Sequence, residues 1–231
     1  IMSVSAYTGH LTNRLLELER DFTVIPNGID TSVFKPCLNQ QENKTILYFG
    51  TLIRKKGLLE LPHIFNLVHE TDKEVTLVLV GKDSGDIKTG SSSTWQLMQA
   101  LFNKSAMEKV SYLGSVAYTE IRHLIEDATV CVFPTFAEAL PVSWLEAMAM
   151  EKAIVASNIG WANEMIEDGK EGYLVHPTDH AKFATRILEL LADVNKRHQF
   201  GKAAREKVKT AFSQDIIAKR SVEFYKTILE S

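Results

Sequence analysis

Short apolar runs alternate with helical patterns through most of this chain, and that alternation leaves few folds open to it. The runs at 45–49, 75–80, 110–112, 129–133, 153–156 and 172–175 read as strands. They are short, rich in β-branched residues and almost unbroken by polar ones, the pattern of strands buried on both faces. Helical patterns at 58–70, 95–107, 118–126, 141–150, 163–167 and 181–191 fall between and after them. Such repetition predicts an α/β fold built on a doubly wound, Rossmann-like parallel sheet. Ahead of it, 5–20 reads as a helix, 23–26 as a short strand, Asn27-Gly28 as a turn and 30–43 as a polar connection. Behind it, helices are predicted at 196–211 and 214–230, the last amphipathic through Ile216, Ile217, Val222, Tyr225 and Leu229. The Gly- and Ser-rich stretch 82–94 is expected to be a mobile loop.

The chain has 231 residues, enough for one large domain or one domain with extensions. Hydrophobic residues make up 45% and charged residues 24%, a soluble globular balance. A net charge of −3 argues against nucleic acid as a partner. No apolar run approaches the roughly 18–20 residues of a membrane-spanning helix, and no secretory signal is read at the N-terminus. Cys37 and Cys131 make no disulfide framework, which suits a reducing cytoplasm.

The most informative segment runs from Val130 to Met148. Val130-Cys131-Val132-Phe133 reads as a buried strand, ended by Pro134-Thr135. A helix is predicted from Pro141, a residue suited to a first helical position. Glu138 then sits in the turn above the strand's carboxyl end, and Glu146 lies inside the helix. Two carboxylates beside a helix N-terminus, at the carboxyl edge of a parallel sheet, mark the crevice where α/β sheets bind ligands.

Glu138 and Glu146 resemble the paired glutamates, seven residues between them, of retaining glycosyltransferases with the GT-B fold, in particular glycosyltransferase family four. Other segments fall in that family's order: Val24-Ile25-Pro26-Asn27-Gly28-Ile29-Asp30 with Phe34-Lys35-Pro36, then Leu47-Tyr48-Phe49-Gly50-Thr51-Leu52 with Lys56-Gly57. Leu77-Val78-Leu79-Val80-Gly81, Tyr112-Leu113-Gly114, Glu164, Asp168-Gly169 and Gly172-Tyr173-Leu174-Val175 follow. The resemblance implies the C-terminal, donor-binding domain of such an enzyme. Residues 1–22 would be a remnant of the N-terminal domain's edge and its linker helix, with Ile1-Met2-Ser3-Val4-Ser5 resembling the end of its last strand. Residues 23–213 would bind the nucleotide sugar, and 214–231 would form a helix packing back toward the N-terminal domain. On this reading the chain is an excised half; the alternative is a natural start at Met2.

The resemblance also implies roles. Glu146 would accept hydrogen bonds from the two ribose hydroxyls of the donor, a task suited to an acceptor-only carboxylate. Read alone, it would be a solvated helix glutamate. Glu138 would contact the transferred sugar, with a catalytic role by charge rather than as a nucleophile; alone it would be a capping acid. A leaving nucleoside diphosphate gains negative charge, so cations near Gly50 would stabilise the transition state. Lys56 matches the family's lysine. Thr51 stands where the family has an arginine, and Arg54 is expected to replace it, with Lys55 merely solvated. Backbone N–H groups near Leu140, Val142 and Ser143 would hold the diphosphate, with Pro141 removing one donor. Gly50, Thr51, Gly81 and Leu113, at strand ends, complete the expected donor set.

Other signals are weaker. Residues 85–91 have the glycine spacing of a P-loop but lack its lysine, and no Gly-x-Gly-x-x-Gly follows a strand. The seven histidines show no ligand spacing, Asp83 and Asp86 read as loop residues, and no metal is expected. Lys196, Arg197, Lys202, Arg205, Lys207 and Lys209 read as a solvated face, or as a peripheral contact to anionic membrane if the acceptor is lipid-linked.

The expectation is therefore a cytoplasmic hexosyltransferase half that takes a UDP- or GDP-sugar without metal or cofactor. The acceptor, a glycan, lipid or small molecule, would be held by the N-terminal domain, with cell-envelope polysaccharide synthesis as the setting the family suggests. A non-catalytic nucleotide-sugar-binding module, or a GT-B epimerase or phosphorylase, are the competing readings. A phosphorylase would need a pyridoxal phosphate lysine and a longer chain.

Overall fold

The computed structural model describes residues 1–37 and 43–230. Six parallel strands form the central sheet: β3 (Thr45–Phe49), β4 (Thr76–Val80), β5 (Val110–Tyr112), β6 (Val130–Phe133), β7 (Ala153–Ser157) and β8 (Tyr173–Val175). Their spatial order is β5-β4-β3-β6-β7-β8. The chain builds outward from β3 in one direction, returns to lie beside it at β6, and builds outward in the other. That reversal between β3 and β6 is the topological switch point of a doubly wound sheet. β3 and β4 pair through Thr45–Thr76 to Phe49–Val80, while β3 meets β6 only through Ile46–Val130 and Leu47–Cys131. The carboxyl ends of β3 and β6 therefore splay apart and leave a crevice.

The helices exist because each carries one apolar face to lay on this sheet. In α2 (Leu61–Thr71) the buried residues Leu61, Ile64, Phe65 and Val68 fall at helical spacing. In α8 (His180–Ala192) Phe183, Ile187 and Leu190 do the same. Trp144, Trp161, Tyr48, Phe65 and Phe183 are the largest side chains sealed in the core. Each such side chain contributes about 1.5–3 kcal/mol by leaving water.

A second, two-stranded sheet pairs β1 (Met2–Ser3) with β2 (Thr23–Val24) around α1 (Ala6–Leu15). The helix predicted over 5–20 stops early, where Glu17 adopts a left-handed φ of 52°. The final helix, α10 (Gln214–Leu229), lies against this region. Gln214 N–H donates to Ile29, and Arg220 donates to the Val24 carbonyl. A Cβ on Gly28 would meet Gln214 Cα and Ile217 at 3.2 Å, so a glycine lets the chain approach that closely.

The predicted helix over 95–107 is two pieces, α3 (Thr94–Gln99) and α4 (Lys104–Met107). Asn66 causes the break: its amide donates to Leu101 O and accepts from Asn103 N–H, satisfying backbone groups a continuous helix would have used. After α5 (Tyr118–Asp127), α6 (Val142–Ala149) and α7 (Ala162–Met165), the helix predicted over 196–211 appears as α9 (Val194–Lys207), which closes on a π turn, Val208–Phe212. The stretch 82–94, expected to be mobile, is tightly cross-linked. Asp83 accepts from Ser93 and Trp95, and Asp86 accepts from Arg54 and Thr89. The polar connection expected over 30–43 begins with Asp30 accepting from the Ser32 and Val33 N–H groups; its portion 38–42, like residue 231, lies outside the described residues.

Candidate functional site

Glycines close the carboxyl edge of the sheet. Gly50 ends β3 with φ 143° and donates to Val80 O; Gly81 ends β4 with φ 139° and donates to Gly114 O. A Cβ on Gly81 would sit 2.0 Å from Gly50 O, so no other residue fits there. Beyond Gly50 the chain makes one 3₁₀ turn, Arg54–Lys56, ended by Gly57 at φ 73°. A Cβ on Gly57 would lie 1.7 Å from Pro134 O. This glycine thus presses the lysine turn against the segment that leaves β6. Phe136 N–H donates to Lys55 O at 2.8 Å and locks the two together.

The result is an ion pair between residues far apart in sequence: Lys56 Nζ lies 3.0 Å from Glu138 Oε1, both side chains half-buried. Tyr48 forms the floor, its hydroxyl donating to Thr51 O. Burial, and then the Glu138 charge, push the Tyr48 phenol well above its ordinary range. Tyr48, Lys56, Thr135, Glu138 and Ser143 line one groove. Gly50, Thr51, Gly81, Tyr118, Ser143 and Glu146 line an adjoining one of about 310 Å³. Ser143, at the start of α6, belongs to both.

α6 begins one residue later than expected. Pro141 is its N-cap, with ψ 120°, not its first helical residue. The ring therefore removes none of the first-turn donors, and no side chain caps this terminus. The N–H groups of Val142, Ser143 and Trp144 are left for a ligand or solvent. The Leu140 side chain is buried, and its carbonyl accepts from Asn27 Nδ2 at 2.9 Å, so Leu140 faces the core and serves the loop's shape.

Glu146 is not the solvated glutamate that its residue type suggests. It is 5% exposed, and the Tyr118 hydroxyl donates to its Oε1 at 2.6 Å. Burial raises its carboxyl above the ordinary range; the Tyr118 hydrogen bond and the Lys56 charge pull against that rise. The Tyr118 phenol is raised in turn, first by burial and then by this carboxylate.

Arg54 is not brought among the residues of either groove. Its Nε and Nη2 donate to the two oxygens of Asp86, each at 2.7 Å. That bidentate fork holds the Asp86 carboxyl well below its usual range, together with Thr89. The positive charge expected to replace the arginine absent at Thr51 is committed to the 82–94 loop, and Lys56 alone of the basic triplet lines the Glu138 groove. Lys55 is exposed. Leu113, at the end of β5, is 47% exposed, donates to Leu79 O and stands apart from both groups of lining residues.

A match to the family profile of glycosyl transferases group 1 spans residues 31–207. The chain belongs to this family. Alpha-maltose-1-phosphate synthase of Mycolicibacterium smegmatis is 32% identical over 227 residues, covering 89% of this chain and 56% of that protein. The sucrose-phosphate synthase structure from Thermosynechococcus elongatus superposes with TM-score 0.83 at 23% identity, over 99% of this chain and 58% of that one. HepE of Anabaena, solved in complex with UDP-glucose, gives 0.82 at 21% identity, over 98% and 63%. The fold is that of the C-terminal domain of GT-B glycosyltransferases. The chain spans a little over half the length of these proteins.

Long-range contacts in this glycosyltransferase chain shape the glutamate turn in ways its sequence does not announce. The Ser5 and Thr8 hydroxyls lie 3.0 and 3.2 Å from Ala139 O. Glu164, part of a family motif, accepts from the Ala6 and Tyr7 N–H groups at the start of α1. Tyr118, Asn27, Ser5 and Thr8 were not expected at the site. Ser5-x-x-Thr8 carried a local signal, a helix N-cap pattern, and Asn27 a turn signal. The basic stretch on α9 and its π turn is a solvated face only in part, with Lys202 exposed and Lys209 half-exposed. Arg205 donates to Phe34 O and Ala149 O, Arg197 to Leu190 O and Leu191 O, and Lys207 and Lys209 pair with Glu171 and Glu206. Among the described residues no three His, Cys, Asp or Glu side chains gather as metal ligands, and no helix is long and apolar enough to cross a membrane.

Proposed function

We propose that this domain binds the nucleoside diphosphate sugar of a retaining glycosyltransferase. The observation that carries the reading is the convergence, at the switch point, of a lysine–glutamate pair, a buried glutamate and an uncapped helix N-terminus on adjoining grooves. Each part suits one part of a donor. The first-turn N–H groups of α6 and the Lys56 ammonium match a diphosphate. The Glu146 carboxylate matches a pair of ribose hydroxyls, and Glu138, paired with Lys56, would meet the sugar.

On this reading Lys56 does two things in succession. Unliganded, it neutralises Glu138. With donor bound, it turns toward the leaving phosphate, whose charge grows as the glycosidic bond breaks, and so favours the transition state over the ground state. Glu138, released, faces the developing positive charge at the anomeric carbon. The departing phosphate takes the acceptor's proton. No metal or cofactor is needed, because side-chain and helix-terminal charge face the diphosphate. The base is uracil or guanine, the transferred group a hexose and the acceptor a glycan or lipid, in the cytoplasm; the UDP-glucose complex of HepE supports the first of these bases.

Calorimetric titration with UDP and with GDP, with and without EDTA, tests the reading. Binding of one of them, unaffected by EDTA, is expected. Binding of neither, or binding abolished by EDTA, overturns it.

A further inference from the structure

We infer that Tyr118 is a positioning residue for the donor's ribose: its phenol holds the buried Glu146 carboxylate in place and leaves that carboxylate's other acceptor sites to the ligand. The inference rests on the ribose reading given for Glu146. Glu146 is 5% exposed, and Tyr118 is the side chain seen hydrogen-bonded to it among the described residues. A buried carboxylate with no donor would be costly to keep ionised. A carboxylate offers about four acceptor sites, so one phenol leaves room for two hydroxyls.

Tyr118 is itself held. It opens α5, and its ring leans on Phe34 at 5.7 Å between centroids. Phe34 is buried, its N–H donates to Asp30 O, and its carbonyl accepts from Arg205. The phenol thus stands on a fixed support in the groove that Glu146 also lines, 61% exposed. The groups facing Glu146 come from three elements: Tyr118 from α5, Lys56 from the turn after β3, and Ser143 from α6 itself, with Lys82 in the same groove. Among the described residues Tyr118 is the side chain hydrogen-bonded to the carboxylate.

The sign of the effect follows. Ribose hydroxyls need the ionised carboxylate, so affinity falls as pH drops through the Glu146 value. Burial has already raised that value, and the Tyr118 hydrogen bond restrains it. Removing the hydroxyl raises it further, and the acid limb of binding moves to higher pH.

The test is titration of the chain with UDP and GDP from about pH 4, the ordinary carboxylate range, to about pH 8, comparing the parent, Tyr118→Phe and Glu146→Gln. Phenylalanine keeps the ring on Phe34, and thermal melting checks that the fold is intact. Tyr118→Phe is expected to weaken binding about tenfold at neutral pH and to shift the acid limb upward, whereas Glu146→Gln is weak and keeps only the limb of the ligand's own terminal phosphate. A carboxyl-carbon NMR titration of Glu146 in the unliganded chain should show its midpoint rise in Tyr118→Phe, a readout that needs no ligand. An unmoved limb and midpoint in Tyr118→Phe, with Glu146→Gln still impaired, overturns the Tyr118 inference alone. Glu146→Gln binding as well as the parent overturns the ribose reading and this inference with it.

Discussion

At the scale of single residues, burial separates the two glutamates. Glu138, its side chain 19% exposed, faces a lysine at 3.0 Å; Glu146, 5% exposed, faces a phenol at 2.6 Å. Glu146→Gln should cost about 1–3 kcal/mol of UDP or GDP affinity, the range for hydrogen bonds to a charged group, read by calorimetry. Unchanged affinity would remove its role. Among the basic triplet, Lys56→Ala should weaken UDP far more than uridine, since only the diphosphate carries charge. Equal losses would place Lys56 elsewhere. Lys55→Ala should leave both unchanged. Arg54→Ala should lower Tm more than it lowers UDP affinity, because it strands the Asp86 carboxylate, 2% exposed on its side chain. Asp86 is held below its ordinary value. The stability of this pair is therefore complete above the unfolded carboxylate range, about pH 4, and is lost as pH falls toward the depressed folded value. Acid melts of parent and Arg54→Ala should converge there; a constant gap would contradict that account.

At the scale of elements, the glutamate turn between β6 and α6 has no regular structure of its own, and its neighbours hold it. Asn27 takes the Leu140 carbonyl, Ser5 and Thr8 surround the Ala139 carbonyl, and the lysine turn grips Phe136. Ser5 also caps α1 by accepting from Thr8 N–H. Ser5→Ala should therefore cost about 0.5–2 kcal/mol of stability and loosen a second, distant segment. Hydrogen exchange at residues 136–140 should quicken in Ser5→Ala, and in Glu164→Ala, which frees the start of α1. Protection at that turn identical to the parent's would show that α1 does not brace it.

At the scale of the whole molecule, the residues of both grooves gather along one edge of the sheet. The strand ends, the lysine turn and the start of α6 make the face proposed for the donor, and the relatives the chain matches are nearly twice as long. The expectation is donor binding without transfer by these 231 residues. Transfer needs an acceptor hydroxyl held against the anomeric carbon, and orientation of that kind accounts for about 7–11 kcal/mol of a barrier. A sugar-transfer assay on this chain and on one extended by an N-terminal domain decides it; robust transfer by the shorter chain would show that its own residues build an acceptor site.

The alternation of apolar runs and helices determined the sheet, because strands buried on both faces and helices with one apolar face pack in only a few ways. It was enough to place Glu138 and Glu146 at the sheet's carboxyl edge, since that placement follows from local order alone: strand, turn, helix. Gly50 and Gly57 were visible as residues, but their reasons, the neighbouring β4 end and the Pro134 carbonyl, lie across the fold. The same distance hid the partners. Lys56 meets Glu138, Arg54 turns away to Asp86, and Tyr118 reaches Glu146 through contacts that join separate loops. Pattern along a chain reports which face a residue presents, whereas which charge it meets there depends on how strand ends converge, and only the tertiary structure brings those ends together.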